Sequence, residues 1–211
     1  MTDRPIIFSG PMVRALLAGT KTQTRRVMLP QPYALDGRPG YWNASGTVGG
    51  RICINDRALL DLHRKPKPGD HLYVREAWRT ESRAYDDLAP SDMGGEETVI
   101  FEADADWKHH KTVGRLRQGM HMPRWASRLT LTVTEIRVQR LQEISEADAI
   151  AEGCVPDDAS HNPNHIGPAR SLFEGLWEGL NAARGYGWYT NPWVTATTFT
   201  VERRNIDEVR S

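Results

Sequence analysis

Apolar positions recur along this chain with two different periods, and the switches between them mark its elements. Pro5-Ile6-Ile7-Phe8 is an apolar run of strand length. After Ser9-Gly10-Pro11 the apolar residues Met12, Ala15 and Leu16 follow at helical spacing. Proline falls in the first turn, where its missing N–H costs little, and Gly19 supplies a C-terminal stop. Residues 21–28 return to an extended pattern. Residues 29–50 hold Pro30, Pro32, Gly37, Pro39, Gly40, Gly46, Gly49 and Gly50, and they read as a long excursion, a mobile flap. Gly69-Asp70 turns into a strand running from His71 to Trp78. Residues 79–96 are acidic and irregular, Thr98 to Ala103 is a further strand, and 104–122 is a basic, histidine-containing loop.

The strongest strand pattern is Arg128 to Leu141. Leu129, Leu131 and Val133 share one face, and Ile136 and Val138 then take the apolar role with reversed parity. One inserted residue near Thr134-Glu135, a β-bulge, would produce that reversal. Ser145-Glu146-Ala147-Asp148 resembles a capping box and opens a short helix to about Glu152. A loop over 155–168 precedes a helix from Ala169 to Ala183, with Leu172, Phe173, Leu176, Trp177 and Leu180 as its apolar stripe. Trp193 to Val201 alternates apolar residues with threonine and closes the pattern as a strand. The charged residues from Glu202 onward are expected to fray. The order β-α-β…β…β…β-α-α-β predicts an α+β fold, a small barrel flanked by helices.

Composition narrows the function. The chain has 211 residues, with 27 basic and 27 acidic side chains. A neutral chain is not built to hold a long polyphosphate by charge alone, which favours a small ligand or a short local contact. Cys53 and Cys154 form no CxxC pair, so a structural zinc site is not expected, and reduced thiols fit a cytoplasmic protein. Met1-Thr2-Asp3-Arg4 does not begin a signal peptide, and no run has the length of a membrane span. The expectation is a soluble intracellular protein.

The densest chemistry lies in Gly19-Thr20-Lys21-Thr22-Gln23-Thr24-Arg25-Arg26. A hydroxyl is a poor nucleophile until a base takes its proton, and Lys21 stands three residues before Thr24. In a straight strand those two positions face opposite sides, so both serve one site only if Lys21 lies in the turn before the strand or the strand kinks. Thr24 and Arg26 do share a face. The alternative is that 21–26 is a solvated basic edge. A second anomaly is Glu76, which shares the inward face of its strand with Leu72, Val74 and Trp78. A carboxylate there needs a cationic partner or a raised pKa, and Lys21, Arg25 and Arg26 are candidates. It could equally be half of an ion pair that only fixes strand register. Tyr73 and Arg75 lie on the other face. Trp78, Trp125, Trp188 and Trp193 could stack on a base or fill cores. The histidines show no metal-ligand spacing.

Taken together, Gly-x-Lys-Thr-x-Thr-x-Arg over Gly19–Arg26 and Gly-Asp-x-Leu-Tyr-Val-Arg-Glu-x-Trp over Gly69–Trp78 resemble the ASCH domain family of the PUA-like superfamily. His121 to Arg128 and Asn191-Pro192-Trp193-Val194 resemble longer, phage-type members. The resemblance covers most of the chain. It implies a PUA-like mixed β-barrel flanked by helices, as a single domain over 1–205. Insertions would fall at about 29–66 and 79–127, with a frayed tail at 206–211. The chain is similar to small bacterial amidohydrolases that deacylate N4-acetylcytidine. That likeness implies Thr24 as nucleophile, Lys21 as base and Glu76 as acid, with Arg26 and Trp78 binding substrate. No cofactor, metal or membrane is implied, and the partner is a small nucleoside or base. Other family members are nucleases or RNA binders, so a non-catalytic RNA- or nucleotide-binding module and a ribonuclease stand as alternatives.

Overall fold

The computed structural model describes residues 2–34, 42–43, 52–53, 66–104, 112–156 and 168–209. Its elements in chain order are β1 (Asp3–Ile7), α1 (Gly10–Leu17), β2 (Gln23–Val27), β3 (Tyr33–Ala34), β4 (Trp42–Asn43) and β5 (Ile52–Cys53). Then follow β6 (His71–Arg75), β7 (Trp78–Thr80), β8 (Val99–Phe101), β9 (Thr130–Arg140), α2 (Glu146–Ala151), α3 (Ala169–Asn181) and β10 (Trp193–Glu202). The fold is α+β. Five strands form one mixed sheet in the order β1-β6-β9-β10-β2, and among the described residues no closed barrel is formed. The short strands β3, β4 and β5 make a meander; β3 and β4 fall within the expected flap at 29–50, most of which lies outside the described residues, as does most of the 155–168 loop.

The chain divides into two compact units. The first comprises Met1–Gly19, Pro68–Val133 and Phe199–Ser211, and the second Thr20–Lys67 and Thr134–Thr198.

In the first unit β1 runs parallel to β6, with Asp3 opposite His71 and Ile7 opposite Arg75. The start of β9 pairs antiparallel with β6, Leu72 opposite Leu131. α1 buries Val13 and Leu16, and Gly19 ends it with φ +75°, a left-handed conformation that glycine adopts without a Cβ clash. The strand expected to run to Trp78 stops at Arg75. The Glu76 N–H turns to Met122 Sδ at 3.4 Å, and Trp78 starts a separate ribbon with β8. Gly119 permits the turn, because a Cβ there would sit 3.1 Å from the Glu76 carbonyl carbon. The terminal segment is docked through Asp207, which pairs with Arg124. Ile206 is fully buried, and Asn205 Nδ2 donates to the carbonyls of Arg124, Trp125 and Ser127.

In the second unit β2 pairs antiparallel with β10, placing Thr24 opposite Thr197 and Arg26 opposite Thr195. Its core joins Leu141, Ile144, Phe173, Trp177, Trp188 and Val194. α2 begins with the expected capping box, in which Ser145 Oγ accepts from Asp148 N at 3.1 Å. α3 buries Ala169, Phe173, Trp177 and Asn181, one row at four-residue spacing. Leu176 and Leu180 of the expected stripe are instead exposed, because the two large rings centre the buried face on their own row. Along β9 the exposed pair Thr134-Glu135 marks where the buried parity changes, as the sequence pattern requires.

Candidate functional site

The sequence motif 19–26 becomes a buried charge cluster in the second unit. Lys21 forms a β-bridge with Glu152 at the end of α2, and Thr22 N donates to Ala151 O at 2.8 Å. The backbone at 21–22 therefore runs beside the last turn of α2. Lys21 is 1% exposed. Its Nζ donates to Gln23 O at 2.9 Å, to Glu152 O at 2.8 Å and to Glu152 Oε2 at 2.8 Å. Three acceptors take three N–H groups, the full complement of an ammonium.

Arg25 completes the cluster. Its guanidinium meets Glu152 Oε1 at 3.1 Å and Asp148 Oδ2 at 3.0 Å, and it lies over the Phe173 ring. Burial opposes the Asp148 charge. The hydrogen bond from Arg137, the charges of Arg25 and Arg137 and the Ser145 N–H outweigh it, so this carboxyl sits below the usual carboxylate range. Behind Glu152 lies Cys154, whose thiol pKa is pushed up to about 11 by burial and by the Glu152 charge, which leaves it an unreactive thiol.

Thr24 lies on the other face of β2 from Gln23 and Arg25. It is 7% exposed, and its hydroxyl makes no hydrogen bond to a described residue. The strand register puts Thr197 and Thr195 of β10 on that same face, with Arg26 beside them and exposed. Thr195 is 3% exposed, and its Oγ1 has no hydrogen-bond partner among the described residues. A strip of threonine side chains beside a cationic rim is a surface that can hydrogen-bond a polar ligand.

Glu76 belongs to the first unit and is 1% exposed, as its place among apolar neighbours requires. Its partner is none of the three cations suggested by the sequence. It is Arg128, two residues before β9. Arg128 Nε meets Glu76 Oε1 at 2.9 Å and its NH2 meets Oε2 at 3.1 Å. The same guanidinium binds Asp104 and covers the Phe101 ring at 3.8 Å. Burial pushes the Glu76 carboxyl above its ordinary range, with the Asp104 charge in support and Arg128 in opposition. Trp78 is fully buried with Met93, Met122 and Ala126, with Trp125 against it edge-on and Arg117 over its ring. Its ring fills a core in this conformation rather than offering a stacking face.

The structure thus brings Lys21 and Arg25 together, puts Thr24 and Arg26 on the opposite side of their strand, and assigns Glu76 and Trp78 to the first unit. Sequence reasoning missed Glu152, Asp148, Arg128, Thr195 and Thr197. Two signals were readable: Asp148 and Glu152 stand four apart and so share one helix face, and Thr195 and Thr197 keep the parity of Trp193 and Phe199. Among the described residues there is no group of three metal-ligating side chains, and no helix is long and apolar enough to cross a membrane.

Neither a family model nor a curated protein matches the chain. Among solved structures it is similar to the crystal structure of protein EF3133 from Enterococcus faecalis V583, which carries the family label DUF984. The two are 11% identical with a TM-score of 0.44, over 100% of this chain and 82% of that one. A likeness of that size carries no argument about chemistry.

Proposed function

We propose that the chain is an ASCH-type amidohydrolase of PUA-like fold that removes the acyl group from an N4-acylated cytosine or cytidine. The observation that carries the proposal is the hydroxyl of a largely buried threonine, Thr24, without a hydrogen-bond partner among the described residues, on a threonine-lined face, three residues after a buried lysine. A hydroxyl that no described residue engages keeps its donor and acceptor capacity for a substrate.

In the reaction, Thr24 Oγ1 bonds to the acyl carbon and the C–N bond to the exocyclic amine breaks. Lys21 accepts the hydroxyl proton. For this its Nζ must first pass a proton to Glu152 and swing away from that carboxylate toward Thr24. A proton delivered to the leaving nitrogen releases the free amine, and water then hydrolyses the acyl-threonine. Arg26 and the Thr195 hydroxyl are the proposed donors to the developing oxyanion. The family pattern gives Glu76 the acid role, and its burial-raised pKa suits a proton donor. Its part in the same reaction is decided by Glu76→Gln.

Purified chain incubated with N4-acetylcytidine and followed by ultraviolet absorbance is expected to release cytidine, with turnover at least about 100-fold lower in Thr24→Ala. Equal turnover by Thr24→Ala would reject the reading. A second reading, a nucleotide- or RNA-binding module without catalysis, is favoured by one observation: the Lys21 ammonium is fully occupied by Glu152 and by backbone carbonyls. Saturable binding of acetylcytidine without its consumption would support that reading instead.

A further inference from the structure

Five threonines are buried among the described residues: Thr24, Thr80, Thr130, Thr195 and Thr197. Thr80 and Thr130 use their hydroxyls internally, donating to Ser82 O at 2.9 Å and to Arg204 O at 3.0 Å. The other three hydroxyls make no hydrogen bond to a described residue. All three belong to one face of the β2–β10 pair. On the opposite face Thr198 Oγ1 accepts from Gln23 Nε2 at 3.1 Å. Unengaged hydroxyls therefore gather on a single face, the one that carries Thr24. Facing residues of an antiparallel pair hold their Cβ atoms about 5 Å apart, and facing threonines can bond each other. Thr24 and Thr197 are such partners, yet no hydrogen bond joins them. Thr195, the next residue of β10 on that face, stands opposite Arg26.

We propose that Thr197 orients the substrate, holding an acylated cytosine by the edge formed by N4–H and ring N3. The inference rests on the amidohydrolase reading, in which Thr24 bonds to the acyl carbon while Thr195 and Arg26 receive the oxyanion. The remaining hydroxyl of the face is directly across from the nucleophile, and N4 is one bond from the carbon under attack. In an N4-acylated cytosine, N4 carries one N–H and the neighbouring N3 carries a lone pair. A hydroxyl donates and accepts at once, so Thr197 Oγ1 takes the N4–H and gives its own proton to N3. An analogue with C–H in place of N3 satisfies half of that pairing. Fixing the amide by this edge also holds the acyl carbon beside Thr24 Oγ1, which raises the rate as well as the affinity.

The test compares Thr197→Val, which keeps the shape and removes the hydroxyl, with Thr197→Ser, which keeps the hydroxyl. Valine is a good strand former, so the circular dichroism spectrum should be unchanged. For N4-acetylcytidine, kcat/KM is expected to fall about five- to tenfold in Thr197→Val, the usual loss for one hydrogen bond, and to stay within about twofold in Thr197→Ser. The parent chain should prefer N4-acetylcytidine to its 3-deaza analogue, and Thr197→Val should erase that preference. Calorimetric titration in the Thr24→Ala background, where nothing is consumed, should show the same loss of affinity when Thr197→Val is added. An undiminished kcat/KM in Thr197→Val, with Thr24→Ala inactive, would overturn the role of Thr197 and leave the amidohydrolase reading standing. Equal losses in Thr197→Val and Thr197→Ser, or a preference for N3 that survives in Thr197→Val, would overturn it as well. Undiminished turnover by Thr24→Ala, or neither binding nor turnover by the parent chain, would remove the reading itself and Thr197 with it.

Discussion

The two units each bury an acid–base cluster, and the clusters differ in their ratio of cations to carboxylates. In the second unit Lys21, Arg25 and Arg137 face Glu152 and Asp148. In the first, Arg128 is the one cation among the described residues that serves both Glu76 and Asp104. The surplus of positive charge holds Asp148 below the ordinary carboxylate range, whereas the shortage leaves burial in control at Glu76 and lifts its pKa. The two carboxylates therefore hold their protons with opposite tendencies: Glu76, with its side chain 1% exposed, is the more deeply buried and has one cation, whereas Asp148, 15% exposed, has two. The first cluster is suited to supplying a proton and the second to holding charge in place.

The largest effect expected from breaking this contrast is at Glu152, which two buried cations, Lys21 and Arg25, share. Glu152→Ala leaves Lys21 and Arg25 short of a counter-charge and should destabilise the chain by about 3 to 5 kcal/mol, measured by urea unfolding. A loss under about 1 kcal/mol would show the cluster to be solvated. Arg128→Ala should cost less, about 1 to 3 kcal/mol, because Arg128 is 23% exposed and part of its field is screened. Combining it with Glu76→Gln should recover part of that loss, since the buried charge is then gone, and a double variant as weak as the sum of both singles would argue against the pairing.

The pH profile sharpens the comparison further. Asp148 has a depressed folded-state pKa, so its contribution is present above 3.8 and is lost as pH falls through the lower folded value. Glu76 has a raised one, so its contribution is full below 4.5 and is lost as pH rises through the folded value. Thermal unfolding across pH 3 to 7 (about that window) should lose its acid-side slope in Asp148→Asn and its opposing slope in Glu76→Gln. Identical profiles in both variants would remove the distinction. The smallest effect is expected at Leu176, an exposed position on α3, where Leu176→Ser should change stability by about 0.5 kcal/mol or less, against several kcal/mol for Phe173→Ala on the buried row.

Much of the fold was legible because it follows periodicity. The α1 stop at Gly19, the long β9 with its parity change and the Ser145 capping box all depend on neighbours in sequence. Glu76 was readable as inward for the same reason. Its partner was not, since Arg128 reaches it from 52 residues away, and alternation says nothing about which distant cation arrives. The strand break after Arg75 escaped notice because the alternation continues unbroken to Trp78 while Gly119 packs against the turn from another loop. Leu176 and Leu180 were assigned inward by helical spacing, yet ring size at Phe173 and Trp177 centred the helix face elsewhere. The docked terminus was hidden behind its charge. One apolar residue, Ile206, and one asparagine hold it down.

The most direct test of the central claim is intact-protein and peptide mass spectrometry of the chain quenched in acid during turnover of N4-acetylcytidine. An acetyl group on the peptide carrying Thr24, absent in Thr24→Ala and accumulating in step with released cytidine, is the predicted result. Cytidine release with no acyl group on that peptide, or at an undiminished rate in Thr24→Ala, would contradict it.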